Sequence, residues 1–281
     1  MRITAKFGSM FLLLFLFALA GPAAVLAQEE DNTGTNPINF TYDARFYMEM
    51  AKLNQDNASM LTNTFEFRAP LGRTLDNLGV GRGIFGDLGS RFALRGKFRT
   101  QTLTVEEPGN TFGNTTVSGI CDMDLRFLAI PYAAGKFGIA TGVEAYLPTA
   151  SNDALGTGRL TLAPQIFFGF FNVMGANSIF APGYLYAFDV AGDDDRNPVR
   201  QHKIDAYFVW LLAGMKNWLI INPQFAFDTE NDKSIYLVDL EFGFMVPQLP
   251  GASTYLRPGV GYGDDKAFRW NFEYGFKFIW R

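Results

Sequence analysis

The chain has 281 residues, of which 48% are hydrophobic and 16% aromatic, with 24 Lys and Arg against 28 Asp and Glu and a formal net charge of -4. That acidic balance excludes a protein that grips nucleic acid through a basic face. The single cysteine, Cys121, excludes an internal disulfide and with it a small stapled fold.

At the start, Arg2 and Lys6 precede an apolar run from Met10 to Ala20, and Val25, Leu26 and Ala27 end on a small residue ahead of Gln28. This is the pattern of a cleaved secretory leader, too short to span a bilayer and broken by Gly21 and Pro22. The predicted organisation is a signal peptide over residues 1–27 and one domain over residues 28–281. Losing Arg2 and Lys6 makes that domain more acidic still.

Beyond the leader, apolar residues recur at period two between clusters of Gly, Asn, Asp and Pro, which predicts strands joined by turns. Twelve are expected, at 38–51, 61–71, 88–105, 117–132, 137–147, 159–171, 178–190, 202–213, 218–228, 234–246, 253–263 and 268–281. The first sets Phe40, Tyr42, Phe46, Met48 and Met50 against Asp43, Arg45 and Glu49. The third carries Arg91, Arg95, Lys97 and Arg99 on one face, between Glu66 of the second strand and Asp122, Asp124 and Arg126 of the fourth. The tenth sets Tyr236, Val238, Leu240, Phe242 and Phe244 against Asp239 and Glu241. The last places Phe268, Trp270, Phe272, Tyr274, Phe276, Phe278 and Trp280 on one side and Arg269, Asn271, Glu273 and Lys277 on the other. At about 3.3 Å per residue that strand spans about 45 Å, enough to cross a lipid band at a steep tilt.

Alternation alone fits a soluble sandwich with buried aromatics or a membrane barrel with aromatics toward lipid. An even strand count, alternately longer acidic and shorter connections, charge complementarity between neighbours and the aromatic final strand favour the barrel. The predicted fold is all-β: a closed antiparallel transmembrane β-barrel of about twelve strands in the bacterial outer membrane. Pro131, Pro164, Pro182, Pro223 and Pro258 lack a ladder donor and must sit at bulges or strand ends. If the first and last strands pair, Arg45 and Glu49 are expected to meet Glu273 and Lys277.

Chemistry-bearing candidates are few. The run Gly81, Arg82, Gly83, Ile84, Phe85, Gly86 spells a dinucleotide-type glycine motif but precedes a strand rather than a helix, so it reads as a turn. His202 is the single histidine, and a lipid hydrolase would need a serine such as Ser178 or Ser234 within its reach. Asp193, Asp194 and Asp195 form a loop run suited at most to weak cation bridging with lipopolysaccharide phosphates. No cofactor, metal site or catalytic residue is predicted. The functional candidates are the residues expected to line a lumen: Arg91, Arg95, Lys97, Arg99, Glu66, Asp122, Asp124, Arg126, Glu144, Asp239, Glu241, Arg257, Arg269, Glu273 and Lys277. A basic wall facing acidic residues sets up a transverse field across a pore; the alternative is that these charges pair and fill the barrel.

The stretch Leu147, Pro148, Thr149, Ala150, Ser151, Asn152, Asp153, Ala154, Leu155, Gly156, Thr157, Gly158, Arg159, followed by Ala163 and Pro164, resembles the LPTA and LGTG elements of outer-membrane proteins labelled phenol meta-pathway transporters. Asn36, Pro37 and the Gly83–Asp87 stretch are similar to further elements of that family, with Phe85 where the family has a smaller residue. The resemblance implies an outer-membrane barrel related in design to channels for small, hydrophobic or aromatic solutes; such a solute needs a side exit into lipid, for which the proline-interrupted pair Pro164 and Pro182 is the candidate, the alternative being ordinary bulges. It transfers no substrate residues. The expected function is a passive channel or transporter for small solutes, not an enzyme; the alternatives are a lipid-modifying hydrolase using His202 and a plugged barrel acting as surface anchor or receptor. Expected partners are outer-membrane lipid, lipopolysaccharide, a small-molecule solute and the barrel-assembly machinery acting on Phe268 to Arg281, with no nucleic acid.

Overall fold

A computed structural model describes residues 40–54, 57–71, 91–106 and 114–280. The leader, the 81–86 glycine run and Arg281 therefore lie outside the described residues. The strands are β1 (Tyr42–Leu53), β2 (Ala58–Pro70), β3 (Phe92–Val105), β4 (Thr115–Ile120), β5 (Met123–Ala134), β6 (Phe137–Leu147), β7 (Arg159–Phe171), β8 (Ser178–Gly192), β9 (Arg200–Leu212), β10 (Asn217–Asp228), β11 (Lys233–Met245), β12 (Ala252–Tyr262) and β13 (Phe268–Trp280). Each pairs antiparallel with its neighbours, and the β1–β13 and β2–β3 ladders close the ring. Both β4 and β5 pair with β3 and share one position, so the barrel has twelve staves.

Period two sorts the side chains as an inverted protein does. Phe46, Phe65, Phe98, Phe242, Trp270, Phe276 and Trp280 are exposed on the outer face, while Glu66, Asp124, Glu144, Glu241, Glu273 and Lys277 are buried inside. A soluble protein does not expose so continuous an apolar belt, so the outer face rests in lipid and the interior is polar. Rings gather at the two rims. At the short-turn end Phe137, Phe170, Phe180 and Phe208 form a run of rings with centroid spacings of 5.2, 6.0 and 4.8 Å, the first pair tilted and the others stacked, and Tyr42 stacks on Trp280 at 6.1 Å. At the long-loop end Tyr184 and Tyr186 surround His202.

The prolines are absorbed by one-sided gaps in the ladder. Pro223 pairs with Val238 of β11 while the β9–β10 pairing skips it, and Pro258 pairs with Phe272 of β13 while the β11–β12 pairing skips it. Pro164 and Pro182 interrupt the same β7–β8 seam, and Pro131 sits at a β5–β6 bulge.

Inside, several large rings lie flat on the wall because the neighbouring strand offers a glycine. Trp218 covers Gly243, Phe167 covers Gly183 and Tyr255 covers Gly275, each so closely that a Cβ there would collide with the ring. This keeps bulky side chains out of the axis. The Gly243→Val variant is expected to lift Trp218 off the wall, break its 2.7 Å hydrogen bond to Glu241 and cost about 1–3 kcal/mol through overpacking, read by denaturant unfolding from detergent.

Candidate functional site

The lumen site begins with the alternation that turns β2, β3, β5 and β6 polar inward. Lys97 is level with Glu66 on one side and Asp124 on the other, and Arg126 is level with Glu144. Two ion-pair groups lie side by side: Lys97 pairs with Glu66 at 3.4 Å, while Arg95 pairs with Glu144 and with Asp124 at 3.5 Å, Arg99 with Asp124, and Arg126 with Glu144. Arg45 joins from β1 through Asp43 at 3.1 Å and Glu66 at 3.6 Å, and Arg68 reaches Asp43 at 3.5 Å.

Side-chain length decides which sign the lumen shows. Asp43 and Asp124 are fully buried and Glu144 is 1% exposed, held close to the wall, whereas the side chains of Arg99, Arg126 and Lys97 retain 24%, 18% and 17%. The longer cations stand in front of their carboxylates. With six cations to four carboxylates in these ion pairs, the wall presents positive charge to the axis.

The opposite wall, β9 to β13, is built differently. Arg257 bridges Glu241 and Glu273, with Glu273 at 3.2 Å, and Tyr255 donates to Glu273 at 2.6 Å. Lys203 pairs with Asp205 at 3.3 Å, and Lys277 lies over the Trp218 ring at 5.2 Å. Arg45 falls level with Lys277 and Glu49 level with Glu273, so like charges rather than opposite ones are register partners across the β1–β13 seam. Arg45 finds its counter-charge in Asp43 and Glu66, and Glu273 in Arg257, while Glu49 accepts from Asn271 Nδ2 at 2.9 Å.

Two voids occupy the lumen. One of about 720 Å³ lies toward the long loops and one of about 350 Å³ toward the short turns. Both are bordered by Tyr47, Arg95, Lys97, Arg126, Phe167, Lys203, Tyr207 and Glu273, so they abut at one level in a ring of four cations, one carboxylate and three aromatics. The inner void as a whole is bordered by the cations Arg45, Arg68, Arg95, Lys97, Arg126, Lys203, Arg257 and Lys277 and the carboxylates Glu66, Asp239, Glu241 and Glu273. An apolar cluster that includes Phe171, Val209, Leu211, Trp218 and Ile220 fills part of the short-turn end.

The fold is that of outer-membrane channels. An outer membrane channel from Pseudomonas putida superposes with a TM-score of 0.60 at 10% identity, covering 91% of this chain and all of the other. The KdgM porin gives 0.54 at 7% identity over 85% of this chain and 99% of that one, and the NanC porin 0.53 at 9% over 84% and 98%. No family model and no curated protein matches the chain.

Not every predicted lumen residue borders a void. Arg91 precedes β3 at the short-turn end, and Arg269 is exposed at the long-loop end beside the β1–β13 bulge. Neither borders either cavity. Asp124 stands behind Arg95 and Arg99, while Glu144, Asp239, Glu241, Arg257, Glu273 and Lys277 border one or both voids. Asp122 has a different occupation: Oδ1 accepts the amides of Thr149 and Ala150 at 3.1 Å each, and Oδ2 accepts the Thr157 amide at 2.7 Å and its hydroxyl at 3.0 Å. It clamps the 148–158 loop, whose Leu155, Gly156 and Thr157 border the outer void. From the other side Arg196 donates to the carbonyls of Thr157, Asp153 and Gly156.

His202 faces outward. Its Nδ1 is 2.6 Å from the Tyr184 hydroxyl and its ring stacks on Tyr186 at 4.6 Å. Ser234 is on the same outward row but two strands away with Phe227 between, about 10 Å at ordinary strand spacing. Ser178 is at the far end of β8, hydrogen-bonded to Gly175 and Met174. Neither serine is within hydrogen-bond reach of the imidazole, and His202 belongs to the aromatic girdle. Lys203, Asp205, Tyr47, Tyr207 and Arg68 border the lumen or support it although the sequence reading passed over them. The signal was present: Gln201, Lys203 and Asp205 are the polar face opposite His202 and Ile204.

Proposed function

We propose that this chain is a passive outer-membrane channel for small hydrophilic solutes, with a preference for anions. The observation that supports the reading is the ring where the two voids abut, with Arg95, Lys97, Arg126 and Lys203 in front and Asp43, Asp124 and Glu144 withdrawn into the wall. In a low-dielectric tube, charge in front counts for more than charge behind, because field lines focus into the aqueous path. The same charged lining disfavours a purely hydrophobic solute on the axial route. For such a solute the paired Pro164 and Pro182 gaps on the β7–β8 seam are the candidate side exit, the alternative being ordinary bulges.

Reconstitution into planar bilayers under a potassium chloride gradient tests the reading. Discrete conductance steps with a reversal potential on the chloride side are expected, shifting toward the potassium side in Arg126→Glu. Correctly folded protein that gives no conductance would overturn the channel and leave the surface anchor or receptor as the better reading.

A further inference from the structure

The wall opposite the basic network carries a set of acceptor oxygens that the ion pairs do not use. Asn222 of β10, Asp239 of β11, Gly259 of β12 and Asn271 of β13 are at one level, register partner to register partner. Gly259 contributes no side chain, so it leaves a notch between its neighbours. Asp239 Oδ1 and Asn271 Oδ1 both lean into it, and a Cβ at residue 259 would collide with each of them.

Among the described residues these two oxygens, and Asn222 Oδ1 beside them, are buried without a hydrogen-bond donor. Asp239 and Asn271 are 9% and 7% exposed. The Asn271 amide orientation is fixed, since its Nδ2 donates to Glu49 at 2.9 Å. Asp239 accepts from Gln224 Nε2 at 3.0 Å through its other oxygen and has no cation at ion-pair distance, unlike Glu66, Glu144, Glu241 and Glu273. Two converging buried acceptors, one of them a carboxylate, are stabilised by a shared donor, and a positively charged one also offsets the buried charge of Asp239.

We propose that this notch is a binding site for the ammonium group of a small zwitterionic solute. The inference rests on the channel reading and narrows its solute class. An ammonium group has donors in several directions and a full charge, which matches oxygens from two strands flanking a gap. A free cation is opposed by the positive face that Arg95, Lys97 and Arg126 present to the same inner void, which Asp239 also borders. A solute carrying its own carboxylate is not opposed. β11 stands across the twelve-stave ring from β5, so the carboxylate of a bound zwitterion faces Arg126, whose Nε has no hydrogen-bond partner, while the ammonium sits at Asp239.

The test compares efflux of γ-aminobutyrate, butyrate and butylammonium, three solutes on one carbon chain, from proteoliposomes holding the full barrel. The wild type is expected to pass the zwitterion several-fold faster than either singly charged solute. Asp239→Asn, which keeps the shape, and Gly259→Ala, which fills the notch, are each expected to bring γ-aminobutyrate down to the butyrate rate while chloride conductance persists. A wild type without zwitterion preference, or variants that conduct chloride and retain it, would overturn the site. Barrels that conduct no ion at all would overturn the channel instead. Calorimetric titration of γ-aminobutyrate into the detergent-solubilised protein then decides the notch alone, with binding lost in Asp239→Asn as the supporting result and no binding to the wild type as the opposing one.

Discussion

Replacing Glu144 by leucine is expected to cost about 3–5 kcal/mol of barrel stability, the range for removing one partner of a buried charge network. Glu144 is 1% exposed and holds two guanidiniums at once, Arg95 through Oε1 and Arg126 through Oε2. Without it Arg126 has no carboxylate in reach among the described residues, and Arg95 keeps Asp124 at 3.5 Å. Arg95 and Arg126, register partners on adjacent strands, then repel each other side by side with only Asp124 left behind Arg95. Leucine preserves the volume but supplies no acceptor, so the loss is electrostatic and not a cavity effect. Denaturant unfolding of detergent-solubilised protein, followed by the gel shift between folded and unfolded barrel, reads the change. A loss below about 1 kcal/mol would show the network to be solvated and dispensable, as exposed pairs are. The same variant sharpens the functional reading: withdrawing a carboxylate from the wall is expected to increase chloride selectivity in the bilayer experiment.

Much of this architecture is legible from period two alone. Alternation assigns Phe242 outward and Glu241 inward because successive side chains point to opposite faces, and the structure keeps that assignment through the ladders of β10 to β13. Height along the barrel is another matter. Register is fixed by turns and bulges, not by composition. The sequence pattern therefore places Arg45, Glu49, Glu273 and Lys277 on facing strands but gives no account of like charges falling level. Ion pairs form on diagonals, and long side chains choose among several partners.

A second limit is the local break in alternation at Cys121 and Asp122. A strand read continuously over 117–132 puts Asp122, Asp124 and Arg126 on one face and Cys121 on the other. The chain instead splits into β4 and β5 with a shift in register against β3, from Thr100 level with Ile120 to Lys97 level with Asp124. Such a bulge turns two consecutive residues to one side. Cys121 Sγ reaches Gln101 at 3.2 Å and Asp122 reaches the 148–158 loop, and both border the outer void. The Leu147–Arg159 stretch was legible as distinctive, but the carboxylate that organises it is about thirty residues away in sequence.

That clamp carries the other large expected effect. Asp122→Ala is expected to release the 148–158 loop, because four hydrogen bonds to one carboxylate disappear together, the amides of Ala150 and Thr157 lose their acceptor and that of Thr149 keeps only the Leu147 carbonyl. Hydrogen bonds to a charged group contribute about 1.5–3 kcal/mol each when taken singly. Shared through one anchor they do not add in full, so a loss of about 3 kcal/mol in loop closure is the expected scale. Asp122→Asn is expected to fall between, since its amide nitrogen turns a donor toward donors on one side while the remaining oxygen keeps one pair. Arg196 still holds the carbonyls of Asp153, Gly156 and Thr157 from the neighbouring loop, so the segment opens on the Asp122 side and swings rather than unfolds. Leu155, Gly156 and Thr157 would then leave the outer void. Limited proteolysis of intact cells or proteoliposomes is expected to cut within 148–158 at least about tenfold faster in Asp122→Ala, the factor that about 1.4 kcal/mol of opening supplies, and single-channel conductance is expected to rise. An unchanged cleavage rate with an unchanged conductance would mean that Arg196 and the bonds of Ser151 to Ile120 and Thr149 to Met123 position the loop without Asp122, and the double variant with Arg196→Ala isolates the Arg196 share.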